Sequence, residues 1–565
     1  MSAPTTIRAL IEMRAAQYPD KPFLLTVPDE GAAGAASDAD DARDAGANGS
    51  IANATLTFGE LHERCRALET RFRDTGLKPG DVVSVMMGNG IQTATLLLGA
   101  MYSGLIAHPL NLLCQPSQLA YIVEHSDTRM IFASAQTRGA LSAALDALHE
   151  QGSPRDIALV RTEPDAIALP ALPALETAAE EVAPTWAGAG HETDDAHAPA
   201  EDEDEDEAEA EAEATDIALL MYTSGTTGAP KGVLLSHENL YANARNISAE
   251  HRLGVEDRVL ASLPLYHING LVVTLLAPLF HAGSVVLTPR FSAGTFWRDA
   301  ASYGCTWINV VPTIVAYLLN GDAPNGLDLS ALKFCRSASA ALPADHHRAF
   351  EARFGIGVIE TMGMTETAAP VFSNPYDVSR RRIGSIGLPS GSEARVVDRE
   401  GRECAPNQCG EIVLRGSQIM RGYYKRHDET AQAFTADGWL RTGDLGFRDE
   451  EGYFYINGRS KELIIKGGEN IAPREIDEAL LRHPGVLDVA AVGVPDPAYG
   501  QEIVAFVVPR EAHWQGAPDA AELRAHCLRE LGRYKTPKEI RFVNELPRGP
   551  SGKVQRLKLV APASG

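Results

Sequence analysis

Between residues 55 and 133 the chain alternates two hydrophobic patterns that belong to different secondary structures. "LTFGELHERCRALETRFRDTG" and "GIQTATLLLGAMYSG" carry the spacing of helices, whereas "DVVSVMM" and "RMIFASA" are short β-rich runs. Helices inserted between strands act as crossovers, and this alternation predicts an α/β fold with helical layers over mostly parallel strands. From residue 384 the pattern changes to "GSEARVVDREG", "GEIVLRG" and "GYFYING", short strands closed by glycines that suit an antiparallel β-rich subdomain. Past residue 461, "APREIDEALLRHPGV" and "DAAELRAHCLREL" read as helices, and "LDVAAVGVPD" and "EIVAFVVP" as strands. A chain of 565 residues exceeds what one core usually supports. The expectation is a large N-terminal domain, 1–460, of α/β layers with the β-rich subdomain, followed by a small α+β domain, 461–565.

Two stretches break the pattern. Residues 28–54 and roughly 176–214 are rich in Ala, Gly, Asp and Glu and poor in large apolar side chains, so they cannot bury enough surface to offset chain entropy. They read as disordered acidic insertions, with a helical acidic arm as the rival for "EDEDEDEAEAEAEA" at 201–214. That segment alone holds ten acids and no base, a large share of the net charge of −24. The acidic balance argues against a nucleic-acid-binding surface, which needs clustered Lys and Arg.

Seven scattered cysteines with no CxxC fit thiols in a reducing compartment. The N-terminus has no apolar signal core, and the longest apolar run, "GLVVTLLAPLFHAGSVVL" at 270–287, contains Pro278 and His281. It reads as a buried helix followed by a strand rather than a membrane span. Cytoplasm is the expected location.

Four clusters carry chemistry. "MYTSGTTGAPKGVLLSH" at 221–237 lies between the strand pattern "IALLMYT" and the helix pattern "HENLYANARNISAEHR", where backbone N–H groups converge on an anion. Gly225, Gly228 and Gly232 permit close approach, Thr223, Ser224, Thr226 and Thr227 add hydroxyls, and Lys231 adds charge. The hydroxyl that follows the lysine of a Walker loop is missing, so it is not that loop; a mobile surface turn is the rival reading, but turns seldom line up so many donors beside a lysine. In "ETMGMTET", 360–367, which follows the strand-like "IGVIE", Thr365 and Glu366 place a hydroxyl beside a carboxylate, a set suited to phosphate and magnesium, although Glu366 equally suits a solvated helix start. In 438–480, Asp444 is placed to accept from paired hydroxyls such as those of a ribose, and Arg459 to reach a phosphate. Lys553 sits in the turn "LPRGPSGKVQR" and, taken alone, reads as a surface lysine.

In order and spacing, "YTSGTTGAPKG", "GMTET", "TGDLG", "GRSKELIIKGGENIAPREID" and "PSGK" resemble the acyl-adenylate-forming superfamily of acyl-CoA synthetases, carrier-protein adenylation domains and luciferases, from about residue 5 to 557. "RFSAGTFW", "VPTI", "RSASAALP" and "FSNP" are similar to the oxalate-CoA ligase group. The resemblance implies two half-reactions, acyl-AMP formation with ATP and then transfer to coenzyme A, and a mobile C-terminal domain. It implies that residues 223–231 hold the β- and γ-phosphates, Thr365 the α-phosphate and Glu366 Mg2+. Ser337, Ala338 and Ser339, with Glu360, Thr361, Met362 and Gly363, would shape the adenine slot, and Asp444 and Arg459 would take the ribose and a phosphate. Lys553 would bridge carboxylate and α-phosphate, the hinge would lie near Lys461, and Gly467 and Gly468 would border the pantetheine tunnel.

"PLYHINGL" at 264–271 matches the stretch that walls the acid site in relatives, which makes His267 and Asn269 candidates, joined by Ser337, Met364 and Thr365. Their polarity suits a small, doubly anionic acid such as oxalate or sulfoacetate, with Arg336 a possible helper or a structural salt bridge. Alternatives are a medium- or long-chain fatty acyl-CoA synthetase, an adenylation enzyme loading a carrier protein, or a nucleotide-binding protein without turnover.

Overall fold

The computed structural model describes residues 5–28, 54–150, 152, 157–175, 212–223, 229–459, 462–510, 518–548 and 554–560. Residues 29–53 and 176–211, nearly all of the two acidic stretches, lie outside the described residues. Helix Phe58–Asp74 shows how sequence becomes architecture. Thr57 Oγ1 accepts from Glu60 N at 3.2 Å while the Glu60 carboxylate accepts from Thr57 N at 2.8 Å, a capping box that fixes the helix start. Phe58, Leu61, Cys65, Leu68 and Phe72 then fall on one buried face at helical spacing. Leu56 and Thr57, expected at the start of the helix, belong instead to the short strand Thr55–Thr57, because Thr57 is committed to the cap and Leu56 pairs with Leu24.

Among the described residues, two sheets share one apolar core. The nine-stranded sheet runs in the order Leu388–Pro389, Ala369–Ser373, Val358–Met364, Phe334–Ser337, Trp307–Val310, Arg258–Ala261, Ser284–Leu287, Pro22–Thr26 and Thr55–Thr57; its central pairings are parallel. The seven-stranded sheet is Gly422–Tyr423, Lys231–Ser236, Ile217–Thr223, Ile106–Pro109, Val82–Met86, Thr128–Ala133 and Ala158–Arg161. The β-rich region forms an antiparallel four-stranded sheet, Glu393–Val397, Gly410–Arg415, Leu440–Arg448 and Phe454–Arg459, as the glycine-closed runs predicted. The long apolar run is helical from Ile268 to His281, with a π-turn at Val272–Leu276 just before Pro278, which has no N–H to give to the preceding turn. No helix among the described residues is long and apolar enough to cross a membrane.

From Ile464 onward the chain builds a separate sheet, with strands Glu469–Ile471, Ile464–Lys466, Gly500–Pro509 and Val486–Asp496, joined by Glu539–Phe542. Helices Pro473–Leu481 and Ala520–Lys535 bring Ile476, Leu480, Leu523 and Cys527 onto Ile464, Val489 and Ile503, a core of its own. The fold is therefore mixed α/β with a large N-terminal and a small C-terminal unit.

One strand departs from the sequence expectation in a way that matters for the site. "IGVIE" was expected to end near Glu360, yet Val358–Met364 continues because Ala369–Ser373 folds back and pairs with it. The return is tight at Gly363, where a Cβ would lie 2.1 Å from the Ala369 carbonyl oxygen. Since that obstacle is backbone, Gly363→Ala is expected to destabilise the protein by about 2–4 kcal/mol, lowering its melting temperature together with its nucleotide binding. A variant that melts with the wild type contradicts the assigned contact.

Candidate active site

Strands Ile217–Thr223 and Lys231–Ser236 are antiparallel, and their last pair is Thr223 with Lys231. The sheet thus closes the glycine-threonine loop at its neck; Ser224, Gly225, Thr226, Thr227 and Gly228 lie outside the described residues. The Lys231 ammonium sits 4.7 Å from the centre of the Tyr423 ring, and Tyr423 Oη donates to Glu366 Oε1 at 2.9 Å. Burial and the neighbouring Glu366 carboxylate push the Tyr423 phenol up, so it remains a donor. Strand Gly422–Tyr423 is hydrogen-bonded beside Leu234 and Val233, which ties this cluster to the neck of the loop.

The turn that carries Thr365 and Glu366 is held from several sides. Thr367 Oγ1 accepts from Met364 N at 2.9 Å, and Met420 N donates to the Glu366 carbonyl at 2.8 Å. The buried Asn243 amide donates to the carbonyls of Thr367 and Pro370 at 2.8 and 3.1 Å. Asn243 is presented by helix His237–Glu250, whose start is fixed by reciprocal bonds between Ser236 and Asn239. Met364, Thr365 and Glu366 are half-buried at the rim.

The parallel pairing of three strands ends at one level, Val310 beside Ser337 and Ser337 beside Glu360. Ser337 Oγ and Glu360 Oε2 are buried without a partner among the described residues, while Glu360 Oε1 accepts from Leu342 N at 3.2 Å. Burial raises the Glu360 carboxyl to about 7. Thr361 and Met362 are buried, and Ala338 N donates to Val310 O at 3.2 Å. Ser339 adopts φ 73°, turning the chain away from the sheet edge. Adjacent orphaned polar atoms at the carboxyl ends of parallel strands fit a polar heterocycle such as adenine.

Asp444 is buried opposite Arg459 in the four-stranded sheet, and Arg459 Nε donates to its Oδ1 at 2.9 Å. The two residues expected to act separately are thus one ion pair. Asp444 is the main cause that raises Arg459, and Glu366 contributes, which ties this pair to the magnesium candidate. His267 caps the short helix Ile268–Leu271, half-buried beside Tyr266. Asn269, expected to contact substrate directly, instead has its amide committed to Ser339, Arg336 and Asn309. Gly467 and Gly468, at φ 55° and 85°, make the two-residue turn between Ile464–Lys466 and Glu469–Ile471. No described contact joins that turn to Lys231 or Glu366. Lys461 and Lys553 lie outside the described residues.

Residues 11–424 match the AMP-binding enzyme family model, and 475–553 match the AMP-binding enzyme C-terminal domain. The chain belongs to the AMP-binding enzyme family. It is 60% identical over 555 residues to a sulfoacetate–CoA ligase of Cupriavidus necator, covering 98% of this chain and 97% of that protein. An oxalate–CoA ligase of Arabidopsis thaliana is 34% identical over 507 residues, 89% and 92% of the two chains. The crystal structure of ATP-bound MatB from Rhodopseudomonas palustris superposes with a TM-score of 0.79 at 28% identity, covering 98% of each chain. The enzyme class expected from the sequence, an acid–thiol ligase using ATP and coenzyme A, stands.

For an AMP-binding enzyme the described acids suit a metal that arrives with its nucleotide. Among the described residues there is no group of three His, Cys, Asp or Glu able to hold a metal alone, and Glu366 has only Oε1 hydrogen-bonded. One available carboxylate held by Tyr423 fits a Mg2+ that would take most of its ligands from the nucleotide. Sequence reasoning did not find Tyr423 or Asn243. Tyr423 stands in "RGYYKR", where nothing local marks the tyrosine as facing Glu366, and Asn243 is one of several polar residues on an amphipathic helix.

Glu360 generates a pH prediction. A carboxyl whose folded pKa is raised binds its proton more tightly in the folded state, so stability declines as pH rises from its ordinary 4.5 to about 7 and stays lowered above that. Glu360→Gln removes this penalty. Its melting temperature should exceed that of the wild type at pH 8, by an amount worth on the order of 3 kcal/mol, and the difference should vanish by pH 4.5. A difference independent of pH contradicts the assigned burial.

Proposed function

We propose that this ligase joins sulfoacetate, or a short acid charged at both ends, to coenzyme A. The observation that carries this reading is the end-to-end similarity to the sulfoacetate–CoA ligase of Cupriavidus necator. The acid's carboxylate oxygen attacks the ATP α-phosphorus and the bond to pyrophosphate breaks. The coenzyme A thiolate then attacks the acyl carbon, and the carbon–oxygen bond to AMP breaks. In the first step an anion meets a polyanion, so the residues must neutralise charge and hold the reactants in line.

In this reading Thr223, Lys231 and the loop between them take the β- and γ-phosphates, and Thr365 donates to the α-phosphate. Tyr423 holds Glu366 by one oxygen, which leaves the other for the Mg2+ of the nucleotide, whose contribution is to offset phosphate charge. Asp444, aligned by Arg459, takes the ribose hydroxyls, and Ser337 and Glu360 supply partners for the adenine. Gly467 and Gly468, in a turn where a side chain at Gly467 would crowd Tyr534 and Tyr499, border the pantetheine path after the unit 461–565 moves about a hinge near Lys461. The free cysteines suit a reducing, cytoplasmic setting. A fatty acid or a carrier protein as the acyl partner is not favoured, given the small anionic acids named for the similar ligases.

Pyrophosphate release should be fastest with sulfoacetate in a panel that includes oxalate, malonate, acetate, benzoate and palmitate, and AMP release should require coenzyme A. Palmitate as the best substrate, or AMP release indifferent to coenzyme A, overturns the reading. Lys553→Ala should lose acyl-AMP formation by about 100-fold or more while retaining most thioester formation from supplied acyl-AMP. Equal losses in both half-reactions contradict the role given to Lys553.

A further inference from the structure

Arg336 is the largest charged side chain enclosed in the N-terminal unit, 1% exposed in strand Phe334–Ser337. A buried cation ordinarily meets a carboxylate, because desolvation costs several kcal/mol that neutral neighbours offset poorly. Arg336 has none within ion-pair distance among the described residues. Nη1 donates to Asn269 Oδ1 at 2.8 Å and to Asn309 Oδ1 at 2.7 Å, and Nε is buried without an acceptor among the described residues. The two amides are themselves fixed. Asn309 Nδ2 donates to the carbonyl and the Oδ1 of Asn269, each at 3.3 Å, and Asn269 Nδ2 donates to Ser339 Oγ at 3.1 Å. Close beneath this network the helix turn is packed so tightly that a Cβ at Gly270 would lie 2.1 Å from the Pro264 carbonyl oxygen. The guanidinium is therefore held rigidly with donors unused, an arrangement suited to receiving an anion.

Its position agrees with that role. Asn269 belongs to 264–271, the stretch expected to wall the acid site, and Ser337 and Ser339 follow Arg336 directly at the strand ends. We propose that Arg336, oriented by Asn269 and Asn309, binds the non-reacting anionic group of the acid substrate, a sulfonate or a second carboxylate, and sets the preference for doubly charged acids. The inference rests on the ligase reading above and assigns the residue that makes it selective. Burial lowers the guanidinium only to about 9, so it stays charged at neutral pH. A singly charged or long apolar acid would leave that charge uncompensated in the interior, whereas a sulfonate supplies the missing counterion. Asn269 and Asn309 are positioning residues in this arrangement.

The test compares kcat/KM for sulfoacetate and for acetate, which lacks the second group, by pyrophosphate release. Two variants are used: Arg336→Met, which removes the cation, and Asn309→Asp, which supplies a carboxylate where Oδ1 now accepts. In both, the sulfoacetate-to-acetate ratio should fall by about 100-fold or more, with the KM for ATP changed little. A structural role for Arg336 would depress both acids together, and an unchanged ratio in either folded variant overturns the proposal. On the wild-type protein, methanesulfonate should compete with sulfoacetate and not with ATP; absence of competition also overturns it, whether or not the variants fold. A wild type that turns over acetate but no doubly charged acid ends the substrate reading and this inference together. Sulfoacetate turnover with an unchanged ratio ends only the inference.

Discussion

The common level at which the parallel pairing of three strands ends is the constraint on which the site depends. Val310, Ser337 and Glu360 stand side by side because their strands share one register, and beyond that level the chain runs from each into a different part of the site. From Ser337 it turns through Ser339 toward Asn269; from Glu360 it continues as strand to Gly363 and delivers Met364, Thr365 and Glu366. A slip of one residue would turn every side chain on the slipped strand to the opposite face, moving Ser337 off the level of Glu360 and Arg336 away from Asn269 and Asn309. The second sheet adds the neck of the glycine-threonine loop, and strand Gly422–Tyr423 fastens it to Glu366 through a single tyrosine.

Charge explains how these parts are distributed. The cations described around the site are not clustered: Lys231 rests on the Tyr423 ring, Arg459 is paired with Asp444, and Arg336 is held by neutral amides. A ligase that brings a doubly charged acid to ATP must separate two anion-binding duties, because a shared cation could not satisfy phosphate and sulfonate in different geometries. On the proposed reading Lys231 serves the phosphates and Arg336 the second anionic group of the acid, each held in place by its neighbours.

How much of this was legible in the sequence depended on whether a residue's role was local. The strand that leads into the glycine-threonine loop and the helix that follows it could be read because a few consecutive residues define them. The alternation of helix and strand runs likewise yielded the α/β body and the later antiparallel subdomain, but not its division into two sheets. What could not be read came from long-range pairing. The extension of the strand past Glu360 depends on the return of Ala369–Ser373, and Tyr423 acquires meaning only when its strand reaches Val233, almost two hundred residues earlier. Asn269 was a candidate for the acid pocket, and its hydrogen bonds to Arg336, Asn309 and Ser339 were not foreseen, since periodicity does not reveal which polar groups satisfy one another.

The central claim is that a doubly anionic acid is activated by direct attack of its carboxylate on the α-phosphorus. The most direct measurement uses sulfoacetate carrying 18O in its carboxylate and follows the label through a complete turnover with coenzyme A by mass spectrometry of the nucleotide and phosphate products. The account predicts one 18O atom in AMP and none in pyrophosphate. Label in inorganic phosphate or pyrophosphate, or formation of ADP, would contradict it.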